Sequence, residues 1–346
     1  MRARSYLDWN ATAPLRPEAR AAMGDAMDLV GNPSSVHSEG RAAKAMLERA
    51  RAQVAEALGA QAADIVFVSG ATEAAALAMA GRGLAISAVE HDAVRAWGEE
   101  ALPVDERGRV RVADPARSCL QIANSETGIL QELPEGLAVS DWTQGFGKVP
   151  LAFDWAGIDM AFVSSHKIGG PKGVGALVIR RGLDLQAQIR GGGQEMGRRH
   201  GTENLIGIAG FGAAAEAAAK DLADGLWEPV DKLRIFLEKT LEDGARSTIL
   251  VGKGVNRLPN TSMFITEGWK GETQVMSMDL AGFAVSAGSA CSSGKVKMSG
   301  VLRAMGYSEA QAGSALRVSL GPSVSKEQVA AFCDAWLTAR DRKFAR

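Results

Sequence analysis

The chain has 346 residues, 46% of them hydrophobic, with 40 glycines and a formal net charge of −1 from 39 Lys plus Arg against 40 Asp plus Glu. That length exceeds what one hydrophobic core usually fills, so two domains are expected, and the even charge balance speaks against nucleic-acid or anionic-membrane binding. No apolar run is long enough to span a bilayer, the first residues lead into motif rather than a signal peptide, and Cys119, Cys291 and Cys333 lack metal-ligand spacing, so a cytoplasmic protein without a metal is expected.

Residues 38–58 carry apolar side chains at helical spacing with charges between them, and read as an amphipathic helix. Residues 64–69 read as a buried strand that ends in Gly70-Ala71-Thr72-Glu73 and an alanine-rich helical stretch to Met79. A strand, a glycine turn and a helix start make an anion site, because free backbone N–H groups and the positive end of the helix dipole point at the turn. The same residues also read as an ordinary cap in which Thr72 or Ser69 satisfies orphan amides. Strand-like runs follow at 84–88, just before His91, at 118–123, and at 138–140, just before Asp141. An imidazole at His91 can stack on a ring and carry protons, or make a structural hydrogen bond. An aspartate at the carboxyl end of an α/β strand lies where such sheets bind ligands, and beside a pyridine it keeps the ring nitrogen protonated.

The most informative stretch is 163–173, where a strand at 160–163 empties into Ser164-Ser165-His166-Lys167, then a glycine-rich turn, then a second strand at 176–179. A lysine amine beside partly apolar surroundings has a lowered pKa and can form a Schiff base with a carbonyl cofactor. A solvated loop lysine is the other reading of that stretch. Residues 206–222 and 231–241 read as helices, and 248–251, 262–265 and 284–286 as strands of a smaller α+β unit. Strands alternating with helices indicate an α/β sheet covered on both faces. Cys291 sits in a run of small residues from 287 to 294 that cannot build a core. A thiol on such an exposed loop is reactive or is there by chance.

Taken together, the motifs have a family order. Residues 6–14, Gly-Asn-Pro-Ser-Ser-Val-His at 31–37, Gly-Ala-Thr-Glu at 70–73, Glu90-His91, Asp-Trp-Thr-Gln at 141–144, Ser165-His166-Lys167, Gly-Gly-Gly-Gln-Glu at 191–195, Arg-His-Gly-Thr-Glu-Asn at 199–204, Ser-Ala-Gly-Ser-Ala-Cys-Ser at 286–292 and Arg-Val-Ser-Leu-Gly at 317–321 occur in sequence. Nearly end to end, the chain resembles the cysteine desulfurases, class V aminotransferase-like members of the fold-type-I pyridoxal phosphate enzymes. The resemblance implies a large cofactor-binding domain at 15–245 with a mostly parallel seven-stranded sheet, and a smaller α+β domain from 1–14 and 246–346. It matches Lys167 to the Schiff-base lysine, Asp141 to the partner of the pyridine nitrogen, Gln144 to the donor to the ring hydroxyl and His91 to the ring-stacking histidine. Ala71, Thr72, Ser164 and His166 match the phosphate cradle, and Thr202 the contact to the neighbouring subunit's phosphate, which implies a homodimer. Arg317 matches the arginine that clamps the substrate carboxylate, a use suited to its bidentate fork, and Asn32 lies in a segment lining the substrate site. Cys291 matches the cysteine that takes sulfur from L-cysteine as a persulfide. The 26 positions from Cys291 to Arg317 resemble the long-loop subgroup, which passes sulfur to an acceptor protein. The implied activity is removal of sulfur from L-cysteine, serving iron–sulfur cluster or thio-cofactor assembly. The alternatives are a selenocysteine lyase, another class V enzyme, or a degenerate scaffold of the same fold.

Three departures qualify the match. Ser125 stands where the family's Asn-Asn-Glu-x-Gly has its second asparagine, at a position that contacts cofactor and substrate, and Met196 stands where an arginine is common. Only nine residues separate Gln131 from Asp141, whereas the family usually inserts a helix there. A parallel crossover generally needs about a dozen residues or more, so a tight loop or a locally altered sheet is expected.

Overall fold

The computed structural model describes residues 4–288 and 298–345. The chain runs through β1 (Ser5–Tyr6), α1 (Pro17–Met27), α2 (Ser38–Ala57), β2 (Ala63–Val68), α3 (Ala71–Met79), β3 (Ala85–Ser87), α4 (Asp92–Arg95), β4 (Glu99–Leu102), β5 (Cys119–Gln121), β6 (Val139–Asp141), β7 (Met160–Ser164) and β8 (Gly175–Arg180). It continues through α5 (Leu205–Ala223), α6 (Trp227–Gly244), β9 (Ile249–Leu250), β10 (Thr261–Ile265), α7 (Gly271–Leu280), β11 (Phe283–Ala284), α8 (Gly300–Ala304), α9 (Glu309–Ala312), β12 (Ala315–Ser319) and α10 (Lys326–Phe344).

The main sheet has the order β2-β8-β7-β6-β5, and the β3–β4 pair extends it through a parallel bridge between Ala85 and Ser118. Seven strands thus lie side by side, with β8 antiparallel to β2 and β7, and β5–β6, β6–β7 and β3–β4 parallel. The strands are apolar on both faces because helices cover both. Ile65 and Phe67 of β2 pack with Leu47 and Val54 of α2 and Phe211 of α5, whereas Val66 and Val68 pack with Ala75, Leu77 and Ala78 of α3. The expected α/β sheet is therefore present, built by the period-2 alternation of its central strands.

β5 and β6 are joined with no helix between them. The connection makes a bridge between Ala123 and Leu130 and another between Ile129 and Arg257, and β6 still pairs in parallel with both β5 and β7. The crossover is therefore a loop, and the sheet order is unaltered. A groove of about 740 Å³ opens beside it, lined by Val110, Val112, Ile122 and Leu151 among others.

The remaining elements form a second unit. β12-β10-β9 is antiparallel, β1 pairs in parallel with β11, and bridges from Asp8 to Ser319 and from Ser286 to Arg317 stitch the two together. Its core joins Phe264, Phe283 and Leu316 to Val329, Phe332 and Trp336 of α10, with the Trp336 and Phe264 rings edge-on at 5.3 Å. Trp227, Val230, Leu237 and Leu241 of α6 bury in the same core. We propose that α6 belongs with this unit, which puts the domain boundary before Trp227 rather than after residue 245. Among the described residues, no helix is long and apolar enough to cross a membrane.

Candidate active site

A cavity of about 580 Å³ lies at the carboxyl ends of β2, β6 and β7. Its walls include Ala71 and Thr72 at the start of α3, His91 after β3, Ser125 after β5, Asp141 and Gln144, and Ser164, His166 and Lys167. Asn10, Ala11 and Thr12 close it from the amino-terminal segment, and Arg317 of β12 reaches it from the smaller unit. Such a position, at strand ends between two units, is where α/β sheets bind ligands.

Lys167 ends a single 3₁₀ turn, Ser165–Lys167, that follows β7 directly. The chain then turns at Gly169, whose φ of +83° suits glycine, and a Cβ there would lie 2.7 Å from Arg16 Cγ. This close approach presses the turn onto the amino-terminal segment. The Lys167 amine donates to the carbonyls of Asn10 at 2.6 Å and Ala11 at 2.9 Å.

The opposite wall is electropositive. Gly70 gives α3 no side-chain cap, so the first N–H groups of the helix have no acceptor within it. Ser164 and His166 flank them in the cavity wall. Burial first, and then the charges of Lys167, Lys172 and Lys148, lower the His166 pKa to about 4, so the ring is neutral at physiological pH. Its Nδ1 is buried without a protein partner among the described residues, as is Oγ1 of Thr143. Glu73, the acid of the Gly-Ala-Thr-Glu motif, faces away from this task. It accepts from the Ser69 N–H at 2.6 Å and from Arg199 at 2.9 Å, tying two of the sequence motifs together.

Asp141 is buried, and burial pushes its carboxyl pKa up against the opposing Thr143 hydrogen bonds and the charges of His91 and Lys167. Its Oδ1 accepts from the Thr143 N–H at 2.8 Å. Gln144 donates from Nε2 to the Asn10 carbonyl at 3.0 Å. His91 caps α4, its Nδ1 accepting from the Ala93 N–H at 3.1 Å, so a neutral ring carries its proton on Nε2. Arg317 is 4% exposed; it pairs with Asp8 at 2.8 Å, donates to the Ser125 carbonyl at 3.0 Å, and its buried Nε has no partner among the described residues. An amine, an electropositive helix start with a neutral imidazole and orphaned donors, and a buried carboxylate fit a phosphate-bearing carbonyl cofactor built on a pyridine ring.

The aminotransferase class-V family model matches residues 5–332. The cysteine desulfurase IscS of Dictyoglomus turgidum is 36% identical over 365 residues, covering 95% of this chain and 92% of that protein. The cysteine desulfurase of Cereibacter sphaeroides is 40% identical, covering 92% and 90%. The chain belongs to the cysteine desulfurase family. A solved NifS-like protein of Rickettsia africae superposes with a TM-score of 0.88 at 32% identity, over 99% of this chain and all of that one. The cofactor of this family is pyridoxal phosphate.

The cavity brings together Ala71, Thr72, His91, Ser125, Asp141, Gln144, Ser164, His166, Lys167 and Arg317. It does not include Asn32 or Thr202, both of which are exposed. Thr202 lines a separate small hollow with Glu195 and Arg199. Cys291 lies outside the described residues. The other two thiols are buried: that of Cys119 is pushed well up by burial and by Glu90 and Asp141, and that of Cys333 to about 12 by burial and Asp334.

Sequence reasoning passed over three residues. Asn10 binds the amine of Lys167 through its carbonyl, Asp8 holds Arg317, and Lys148 contacts Gln144. Asp8 and Asn10 lie in the motif at 6–14, but only their partners show what they do. Lys148 was signalled by being the one charge in the small and apolar run 145–151.

Proposed function

We propose that this protein is a pyridoxal phosphate-dependent cysteine desulfurase that converts L-cysteine to L-alanine and leaves a persulfide on Cys291. The observation that carries this reading is Lys167 and Asp141, at the ends of neighbouring β7 and β6, sharing one cavity with the open start of α3 and with Arg317. When bound, the cofactor supplies a carbonyl for the substrate amine and an electron sink for the bonds at Cα. Ala71, Thr72, Ser164 and His166 would hold its phosphate, Asp141 its pyridine nitrogen and Gln144 its ring hydroxyl, and His91 would lie against the ring. Lys167 anchors it and afterwards moves the Cα proton, for which its seat between two carbonyls keeps the amine close at hand.

Arg317 orients the substrate carboxylate through the part of its fork that Asp8 and Ser125 leave over. The thiolate of Cys291 attacks the substrate sulfur. A sulfur–sulfur bond forms, the carbon–sulfur bond breaks, and its electron pair goes to the substrate carbon, which takes a proton to become the methyl group of alanine. Cys119 and Cys333 are buried with raised pKa values and are unsuited to this step, which supports Cys291. The persulfide passes to an acceptor protein for iron–sulfur cluster or thio-cofactor assembly. Thr202, exposed beside the Arg199–Glu73 pair, completes the phosphate site of a second subunit in a cytoplasmic homodimer.

Borohydride reduction of the holoprotein followed by peptide mapping tests the assignment. Label on Lys167 is expected, and label on Lys148 or Lys172 instead would overturn it. Turnover of selenocysteine with none of cysteine would favour the lyase, and a lysine-bound cofactor without any turnover would favour a scaffold.

A further inference from the structure

Lys148 is a buried amine behind the cavity wall, bonded to two residues that line it, Asn10 and Gln144, and the chemistry above gives it no task. It is 3% exposed, and among the described residues no carboxylate pairs with it. Its amine meets two neutral acceptors, Oε1 of Gln144 at 2.8 Å and Oδ1 of Asn10 at 3.4 Å. Burial, and then the charges of Lys167 and Arg317, holds its pKa well below the usual lysine value, and in either protonation state its N–H groups donate to these two oxygens.

The consequence lies in Gln144. A donor at Lys148 requires the carbonyl end of the Gln144 amide on its side, which leaves Nε2 for the Asn10 carbonyl at 3.0 Å. That same carbonyl accepts from Lys167 at 2.6 Å, while the Asn10 side-chain oxygen accepts from both Asn260 and Lys148. Lys148 therefore contacts Gln144 and Asn10, and the carbonyl of Asn10 is one of the two on which Lys167 rests.

We propose that Lys148 is a positioning residue, a buried donor that fixes the amide of Gln144 and the seat of Lys167 at Asn10. The inference rests on the reading of the cavity as the pyridoxal phosphate site. Its function is to give Gln144 one orientation toward the bound ring, where a rotated amide would present an oxygen instead of a donor.

The test compares Lys148→Met, which keeps length and apolarity but not the donor, with Lys148→Gln, which keeps a donor. Holoproteins are compared by the absorption maximum of the lysine-bound cofactor, by kcat and KM for L-cysteine, and by melting temperature. Positioning predicts that Lys148→Met shifts the absorption band and lowers kcat at least tenfold with KM little changed, and that Lys148→Gln restores part of both. A packing role predicts the reverse order, with the methionine variant as good as wild type in band and kcat; that result overturns the proposal. If the methionine variant does not fold, the glutamine variant decides: a band and kcat near wild type uphold the proposal, and a tenfold loss of kcat with an unmoved band overturns it. Absence of a lysine-bound band in the wild-type protein would refute the cofactor site itself, a separate failure.

Discussion

His166 makes the fold sensitive to acid in a way that one substitution isolates. Burial and three neighbouring lysines lower its pKa from 6.5 to about 4, whereas the unfolded chain titrates near the ordinary value. The unfolded state therefore binds more protons between those limits. The stability this neutral ring contributes is fully present above about pH 6.5 and is lost as the pH falls toward 4. For a fully buried ring the drop corresponds to about 3.4 kcal/mol, and partial exposure of His166 reduces this by solvent screening to roughly 2 kcal/mol. Glu90, Asp141 and Glu126 have carboxyl pKa values raised chiefly by burial and act in the opposite sense, gaining stability as the pH falls. They are common to wild type and His166→Gln, so the difference between the two proteins reports on His166. Urea unfolding of both cofactor-stripped proteins at about pH 7 and about pH 4.5 should show the wild type losing roughly 1.5 kcal/mol more than the variant. Parallel pH dependence would refute the buried, neutral imidazole.

Three further outcomes follow from the same geometry. Cys291→Ser should keep the visible cofactor spectrum and lose persulfide formation; full alanine release would show that the cysteine has another role. Glu195→Ala removes a buried carboxylate that Arg51 grips with two hydrogen bonds and that the Phe67 N–H also meets, and should cost about 3–5 kcal/mol in urea unfolding; a loss below about 1 kcal/mol would contradict the importance of that anchor. Ser125 lends its carbonyl to Arg317 and Asn10, while its shorter side chain replaces an asparagine, so Ser125→Asn should add a hydrogen bond of roughly 0.5–1.5 kcal/mol and lower KM for cysteine. A clear loss of activity with intact folding would show that the pocket is built around serine.

Much of the site was legible because its chemistry is concentrated in short runs. Asp141 ends β6, while Gln144, His166 and Lys167 lie within three residues of a strand end, and strand ends converge once the sheet forms. Short apolar runs and the period-3.6 pattern likewise placed the central strands and α2 close to their observed bounds. The contacts that hold these residues were not legible, because they join distant segments: Asp8 with Arg317, Asn10 with Lys167, Glu195 with Arg51. α6 was also recognisable as an amphipathic helix, but amphipathicity says only that a face is buried. Which core receives that face, here the one shared with α10, depends on the fold.

The central claim is tested most directly by incubating the purified holoprotein with L-cysteine and following alanine release and the mass of the Cys291 peptide together. The account predicts alanine formed by one turnover without reductant, with one added sulfur on Cys291, and continued release when a reductant or thiol acceptor is supplied. Alanine without sulfur on Cys291, or a keto acid in place of alanine, would contradict it.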